Sequence, residues 1–154
     1  MRALIGAIVA PVLLLALAGC GSDGGQTPAS NAPAGAATVK VADSDLGPIL
    51  VDGSGRTLYA FTKDKDQTSN CGEACIAVWP ALIAAKTADA GQGANATLVG
   101  QTQSTEGQQQ ATYGQWPLYY YVGDMVAGDV NGQGIDDEWF VLSADGKLVK
   151  KAAA

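Results

Sequence analysis

Three cysteines, fifteen carboxylates and no histidine limit the chemistry open to this chain of 154 residues. Without histidine a general base would have to be a carboxylate or a lysine, and no Ser or Thr stands in a recognisable nucleophile motif. No catalytic residues are therefore assigned, and the chain is not expected to be an enzyme. Cys71 and Cys75 stand four apart. A haem attachment would need a following His, and a structural zinc would need two more Cys or His ligands. What stays open for the pair is a disulfide, a redox-active dithiol or copper(I) held by two thiolates. The run Asp129-Val-Asn131-Gly-Gln133-Gly134 resembles the start of an EF-hand loop, with Asp137 at position 9. It departs at position 5, Gln133, and at position 12, where Phe140 replaces the bidentate Glu. We read it as an acidic turn and expect no metal and no cofactor. Asp64 and Asp124 could act as paired carboxylates only if two copies of one motif meet face to face.

The third thiol belongs to a different process. Arg2 is followed by an apolar run from Ala3 to Ala18, and then by Leu17-Ala18-Gly19-Cys20. A positive start, a short apolar core and small residues before a Cys describe a lipoprotein export signal over residues 1–19. The run is too short to be a comfortable membrane-spanning helix. Cleavage before Cys20 leaves that residue as a diacylglycerol-modified amino terminus, and at least two acyl chains give a stable anchor. The expected location is the extracytoplasmic face of the cell membrane. In an exported chain the even pair Cys71 and Cys75 is more readily bonded than free, and about 2 kcal/mol is what so short a ring contributes in the chain-entropy account.

Residues 20–38 hold the lipidated Cys20 and a Gly-, Ser-, Pro- and Ala-rich stretch without a large apolar side chain. Such a stretch cannot repay its ordering entropy and is expected to be a disordered tether about 20–25 Å long. Removing residues 1–19 takes away one basic residue, Arg2, which leaves eight basic against fifteen acidic. An acidic chain with no basic cluster is a poor ligand for nucleic acid or for anionic lipid headgroups. Contact with the membrane would then run through the lipid.

The remaining residues, 39–150, suffice for a single small domain with one core. Its organising feature is a sixty-residue repeat: Leu58-Tyr59-Ala60-Phe61-Thr62-Lys63-Asp64 returns as Leu118-Tyr119-Tyr120-Tyr121-Val122-Gly123-Asp124. Trp79 then stands against Trp139, with no gap needed. Repeat 1 covers about 38–84 and repeat 2 about 98–144, and a pseudo-twofold is expected to relate them. Alternating apolar segments bounded by Gly, Asp and Ser argue for a mainly β fold. Strands are expected near 38–42, 47–51, 57–62, 97–102, 108–113, 117–122, 138–143 and 147–150, with a short helix at 72–78. Residues 86–96 read as a surface linker. In each motif strand, residues two apart share a face, so Tyr59 aligns with Phe61 and Tyr119 with Tyr121. Two readings of the motif stand. It is a hydrophobic strand closed by an Asp that bonds nearby backbone N–H groups, or it is an aromatic-plus-carboxylate binding site in each repeat. Fifteen residues separate each motif Asp from its Trp, and a loop that long needs holding. The gapless alignment sets Cys71 and Cys75 against Asn131 and Ile135, and it predicts that Trp79 and Trp139 are both buried.

Tyr59-x-Phe61-x-x-Asp64 and Tyr119-x-Tyr121-x-x-Asp124 resemble the signature of a bacterial lipoprotein family described as a secreted repeat of unknown function. The resemblance extends to Cys71, Cys75, Trp79-Pro80, Trp116-Pro117 and the Gly- and Asp-rich run before Trp139. It implies two tandem copies in an envelope protein and brings no activity with it. Taken together, these features give a membrane-anchored lipoprotein with a non-catalytic binding or scaffolding role, whose partner is an envelope protein, cell-wall glycan or a small ligand. The alternative is an accessory role in envelope metal handling or extracytoplasmic electron transfer, using Cys71, Cys75, Met125 and the Tyr and Trp residues.

Overall fold

The computed structural model describes residues 37–152. The expected signal peptide at 1–19, the expected lipidation site Cys20 and nearly all of the expected tether lie outside the described residues. Among the described residues no helix is long and apolar enough to cross a membrane.

The chain is mainly β. Thr38–Ser44 (β1) and Gly47–Asp52 (β2) form an antiparallel hairpin, from Val39 opposite Asp52 to Ser44 opposite Gly47. The chain then turns through Asp52, whose Oδ1 accepts from the N–H of Ser54 at 2.8 Å and of Arg56 at 2.9 Å. Such Asx chemistry directs the chain into Tyr59–Phe61 (β3). A single helical turn, Glu73–Ile76 (α1), falls within the expected 72–78. Asp89–Ala90 (β4) adds to β1 in parallel. Repeat 2 follows with the hairpin Val99–Gln103 (β5) and Gln109–Tyr113 (β6), then Trp116–Pro117 (β7) on β6, and Trp139–Val141 (β8).

The two repeats meet along their motifs. Tyr59 N donates to Tyr119 O at 2.8 Å, and Tyr119 N donates back to Tyr59 O at 3.0 Å. Each residue thus pairs with its own equivalent in antiparallel sense, which places a local twofold axis between them. On the outer sides Tyr59 pairs with Val141 and Tyr119 with Ala81, again sixty residues apart. Thr62 N to Glu138 O is matched by Val122 N to Val78 O. One antiparallel surface results, ordered β8, β3, 119–122, 78–82. Alternation sorts its side chains as the sequence predicts. Leu58, Ala60, Leu118, Leu82 and Leu142 join one apolar cluster, while Tyr59, Phe61, Tyr119, Trp79, Trp139 and Val141 join the other. Burying both faces is what lets so short a set of strands hold a core.

Three expectations are corrected. The sixty-residue offset is not gapless. Leu50 donates to Leu142 O and accepts from Leu58 N, while Ala111 donates to Leu82 O and accepts from Leu118 N. Leu50 and Ala111 are therefore equivalent at an offset of sixty-one. The β5–β6 hairpin carries one extra residue, and the link into the second motif is one shorter. The slip is invisible in the sequence because the two changes cancel. Residues 86–96 are not merely a surface linker either. Ala88 is buried, and β4 extends the first hairpin because Gly91 and Gly93 let the chain pass directly over β1. A Cβ at Gly91 would stand 2.9 Å from Lys40 Cβ, and one at Gly93 2.9 Å from Val41 Cβ. The small residues here serve close approach rather than solvent exposure. Finally, the strands expected at 117–122 and 147–150 reduce to β7 with single bridges at Tyr119, and to one bridge between Leu142 and Leu148.

Candidate functional site

The motif side chains converge on the axis between the repeats. Tyr59 Oη donates to Asp124 Oδ2 at 2.8 Å, and Tyr119 Oη donates to Asp64 Oδ2 at 2.7 Å. The bonds are crossed, so each tyrosine is satisfied by the aspartate of the other repeat. The second oxygen of each aspartate holds its own loop. Asp64 Oδ1 accepts from Asn70 N at 2.6 Å, and Asp124 Oδ1 accepts from Asn131 N at 2.9 Å. Asn70 Nδ2 then donates to Lys63 O, and Asn131 Nδ2 to Gly123 O. Asn70 and Asn131 are thus the equivalent pair, again sixty-one apart.

That equivalence corrects the alignment of the cysteines. Cys71 corresponds to Gly132, not to Asn131. Cys71 is fully buried and bonded to Cys75, with Cα atoms 5.2 Å apart. It stands two residues before α1, just ahead of the cap residue Gly72, as expected for a pair that a regular helix would aim poorly. At Gly132 no side chain fits, since a Cβ would lie 2.8 Å from Trp79 and 2.9 Å from Tyr59. The second loop is held by carboxylates. Asp129 Oδ2 accepts from Met125 N at 2.8 Å and Val126 N at 3.0 Å. Gln133, at the EF-hand-like position 5, points away and bonds Val141 N, Val149 O and Lys151 O.

Around the crossed bonds the aromatic rings form a ladder. Trp79 and Trp139 stack with centroids 3.8 Å apart and planes 1° from parallel. Phe61 continues the stack on Trp139 at 4.3 Å, and Tyr121 lies against Trp79 at 4.5 Å with its ring tilted by 31°. Tyr59 meets Trp79 edge-on at 5.4 Å, and Tyr119 meets Trp139 edge-on at 5.3 Å, geometries that aromatic quadrupoles favour. Both tryptophans are buried, as predicted, but their mutual stacking was not foreseen.

Burial sets the electrostatics. Asp64 is 3% exposed, and its removal from water pushes the carboxyl up to about 6 against the bonds from Asn70 and Tyr119, which favour the anion. Asp124 is raised for the same reason, and the Tyr59 hydroxyl opposes the shift. Burial also raises the phenols of Tyr59 and Tyr119 above their ordinary value, so both stay protonated donors.

The structure thus gathers Tyr59, Phe61, Asp64, Tyr119, Tyr121 and Asp124 with Cys71 and Cys75 around one ladder. The polar atoms of the motif are engaged with one another and with their own loops. Sequence reasoning missed Ser69, whose Oγ lies 2.8 Å from Tyr119 Oη, and Gly132, whose N–H donates to Tyr59 Oη at 3.1 Å. It also missed a surface groove of about 250 Å³ at the ladder's edge. Phe61, Trp79, Trp139 and Cys75 line it, with Asp136 and Glu138 at the rim. Glu138 pairs with the exposed Lys63 at 2.6 Å. Among the described residues no group of three or more His, Cys, Asp or Glu is placed to hold a metal ion. On a neighbouring surface Val122, Met125 and Val126 are exposed, Met125 to 82%.

Comparison with known proteins gives one match. A family model described as a secreted repeat of unknown function matches residues 40–83 and 100–143. No curated protein and no solved structure matches the chain. The two matched segments cover more than half of it, and they are the two repeats defined above. The chain belongs to this family of secreted repeats, in two tandem copies.

Proposed function

We propose that this secreted-repeat protein is a lipid-anchored, non-catalytic binding protein on the extracytoplasmic face of the cell membrane. Its ligand in this reading is cell-wall glycan. The groove carries the proposal. A surface groove lined by aromatic side chains together with carboxylates can receive a small polar ligand. Phe61 and the edges of Trp79 and Trp139 offer apolar surface to a sugar ring, while Asp136 and Glu138 can accept from its hydroxyls. Cys75, fixed by its bond to Cys71, stiffens the wall on the α1 side. The motif residues support a non-catalytic role, because their polar atoms are already committed to holding the repeats together. Calorimetric titration of the full-length protein in detergent with soluble cell-wall glycan fragments tests the reading. Saturable binding is expected, at least about tenfold weaker in Asp136→Asn/Glu138→Gln, as for the loss of one or two hydrogen bonds. No saturable heat would refute it.

A second reading, the accessory role in extracytoplasmic electron transfer, is favoured by one observation. The stacked Trp79 and Trp139 are flanked on each side by a tyrosine already bonded to a carboxylate.

A further inference from the structure

We propose that the paired motifs form an internal radical relay. Trp79 and Trp139 accept an oxidising equivalent delivered at the groove, and buried Tyr59 or Tyr119 takes it over while its proton passes to Asp124 or Asp64. The proposal rests on the electron-transfer reading and gives that reading its chemistry.

The geometry supplies each part. The two indoles overlap at 3.8 Å with planes 1° apart, so a hole on one ring is shared with the other. Each indole touches one buried phenol, Tyr119 on Trp139 at 5.3 Å and Tyr59 on Trp79 at 5.4 Å. Each phenol already donates to a carboxylate oxygen, at 2.7 Å and 2.8 Å. A buried phenol cannot lose an electron cheaply unless its proton has somewhere to go, because a phenol cation in an apolar site is unsolvated. Here the acceptor is in place before the electron leaves. The oxygen left behind is not orphaned. Gly132 N–H remains directed at Tyr59 O at 3.1 Å, and Ser69 Oγ lies 2.8 Å from Tyr119 O. Burial raises both carboxyls, which makes them better proton acceptors than an exposed aspartate. The nearby sulfurs of Cys71 and Cys75 are joined in a disulfide, so neither competes as an electron donor. Phe61, Trp79 and Trp139 line the open groove, which gives the oxidant its approach.

The steps balance as follows. An oxygen-centred radical at the groove takes one electron from the Trp pair and becomes its anion, leaving an indole radical cation. Tyr119 returns that electron to the indole and gives its hydroxyl proton to the Asp64 carboxylate. The products are a neutral indole, a neutral tyrosyl radical and a carboxylic acid. Tyr59 and Asp124 do the same on the other side. A phenolic one-electron reductant gives the tyrosyl an electron and loses its own hydroxyl proton to water, while the proton held by the aspartic acid returns to the tyrosine oxygen.

Flash photo-oxidation of the full-length protein, with a photogenerated ruthenium(III) polypyridyl complex as the surface oxidant, tests the relay by transient absorption and electron paramagnetic resonance. An indole radical is expected first, converting to a tyrosyl radical that outlives the one formed from free tyrosine. In Tyr59→Phe/Tyr119→Phe the rings and the ladder remain, and the indole radical should persist without a long-lived tyrosyl, although Tyr113, Tyr120 and Tyr121 are present. In Asp64→Asn/Asp124→Asn the conversion should slow about a hundredfold, the lower end of what a positioned proton acceptor contributes, and its solvent isotope effect should change. A merely structural role for these pairs would move neither quantity. Should the phenylalanine variant fail to fold, the asparagine variant decides. An unchanged tyrosyl yield and conversion rate, with the indoles still oxidised, overturns the relay and leaves the electron-transfer reading standing. Indoles that the oxidant never reaches in the wild type overturn both.

Discussion

Asp64→Asn should make the protein more stable at neutral pH and less stable in mild acid. The carboxyl of Asp64 is raised from 3.8 to about 6, chiefly because burial removes water from the anion. A group whose pKa is higher in the folded state binds its proton more tightly there. Its stabilising contribution is therefore full below the unfolded value near 4, and it is lost as pH rises through about 6. The displacement corresponds to about 3 kcal/mol at full strength, and about 2 kcal/mol once residual screening is allowed for. The asparagine cannot titrate. It keeps an acceptor for Asn70 N–H but turns an NH₂ group toward Tyr119 Oη, which must then rotate its hydroxyl toward Ser69. Exchanging one good hydrogen bond for a weaker one costs about 1 kcal/mol at every pH. The variant should thus lose only about 0.3 kcal/mol at pH 4.5, approach a loss of about 1 kcal/mol near pH 3, and gain about 1 kcal/mol at pH 7.5, the balance of those two estimates. Urea unfolding at half-unit steps across this range measures it. The wild-type profile alone does not decide, because Asp124 and the general acidic repulsion slope the same way. The difference between the two profiles does. Parallel profiles would show that Asp64 carries no strained charge, and the electrostatic account of the crossed pairs would be wrong.

Three other outcomes are expected. Cys71→Ser with Cys75→Ser should lower stability by about 2 kcal/mol in urea and leave the far-ultraviolet circular dichroism spectrum recognisable. Gly132→Ala should cost about 1–3 kcal/mol, since a Cβ there meets Trp79 and Tyr59, whereas Gly72→Ala, with no atom within 4 Å of its Cβ, should stay within about 0.5 kcal/mol. Cys20→Ala should abolish incorporation of labelled fatty acid, and equal labelling of variant and wild type would remove the lipid anchor from the account.

Much of the fold can be read from alternation. Tyr59 with Phe61 and Leu58 with Ala60 declare the two faces of a strand, and the structure buries them in separate clusters. The repeat likewise announces an internal symmetry. What alternation does not contain is the register between the repeats. Nothing in the composition says that Tyr59 meets Tyr119 or that its hydroxyl reaches Asp124, because that pairing is set by the sum of contacts around it. The compensating shifts at Leu50 and Ala111, and again at Asn70 and Asn131, hide for a related reason. Matching identities across a fixed offset rewards the gapless alignment, whereas hydrogen bonds respect where each backbone group lies. Asn70 and Asn131, six and seven residues after their motif Asp, were the signal that could have revealed the slip. The groove escaped because its rim residues, Asp136 and Glu138, come from a stretch that looks like an acidic turn and nothing more.

The crossed tyrosine–aspartate bonds carry an evolutionary implication. A polypeptide with one copy of the motif would hold a buried hydroxyl and a carboxylate that cannot reach each other. It could satisfy both only by associating with a second, identical polypeptide about a twofold axis, which makes a homodimer the natural ancestral form. Fusion of two such genes turns a concentration-dependent assembly into a single chain and frees the halves to diverge. Cys71 opposite Gly132 is one place where the halves differ: one carries a covalent staple where the other closes around bare backbone.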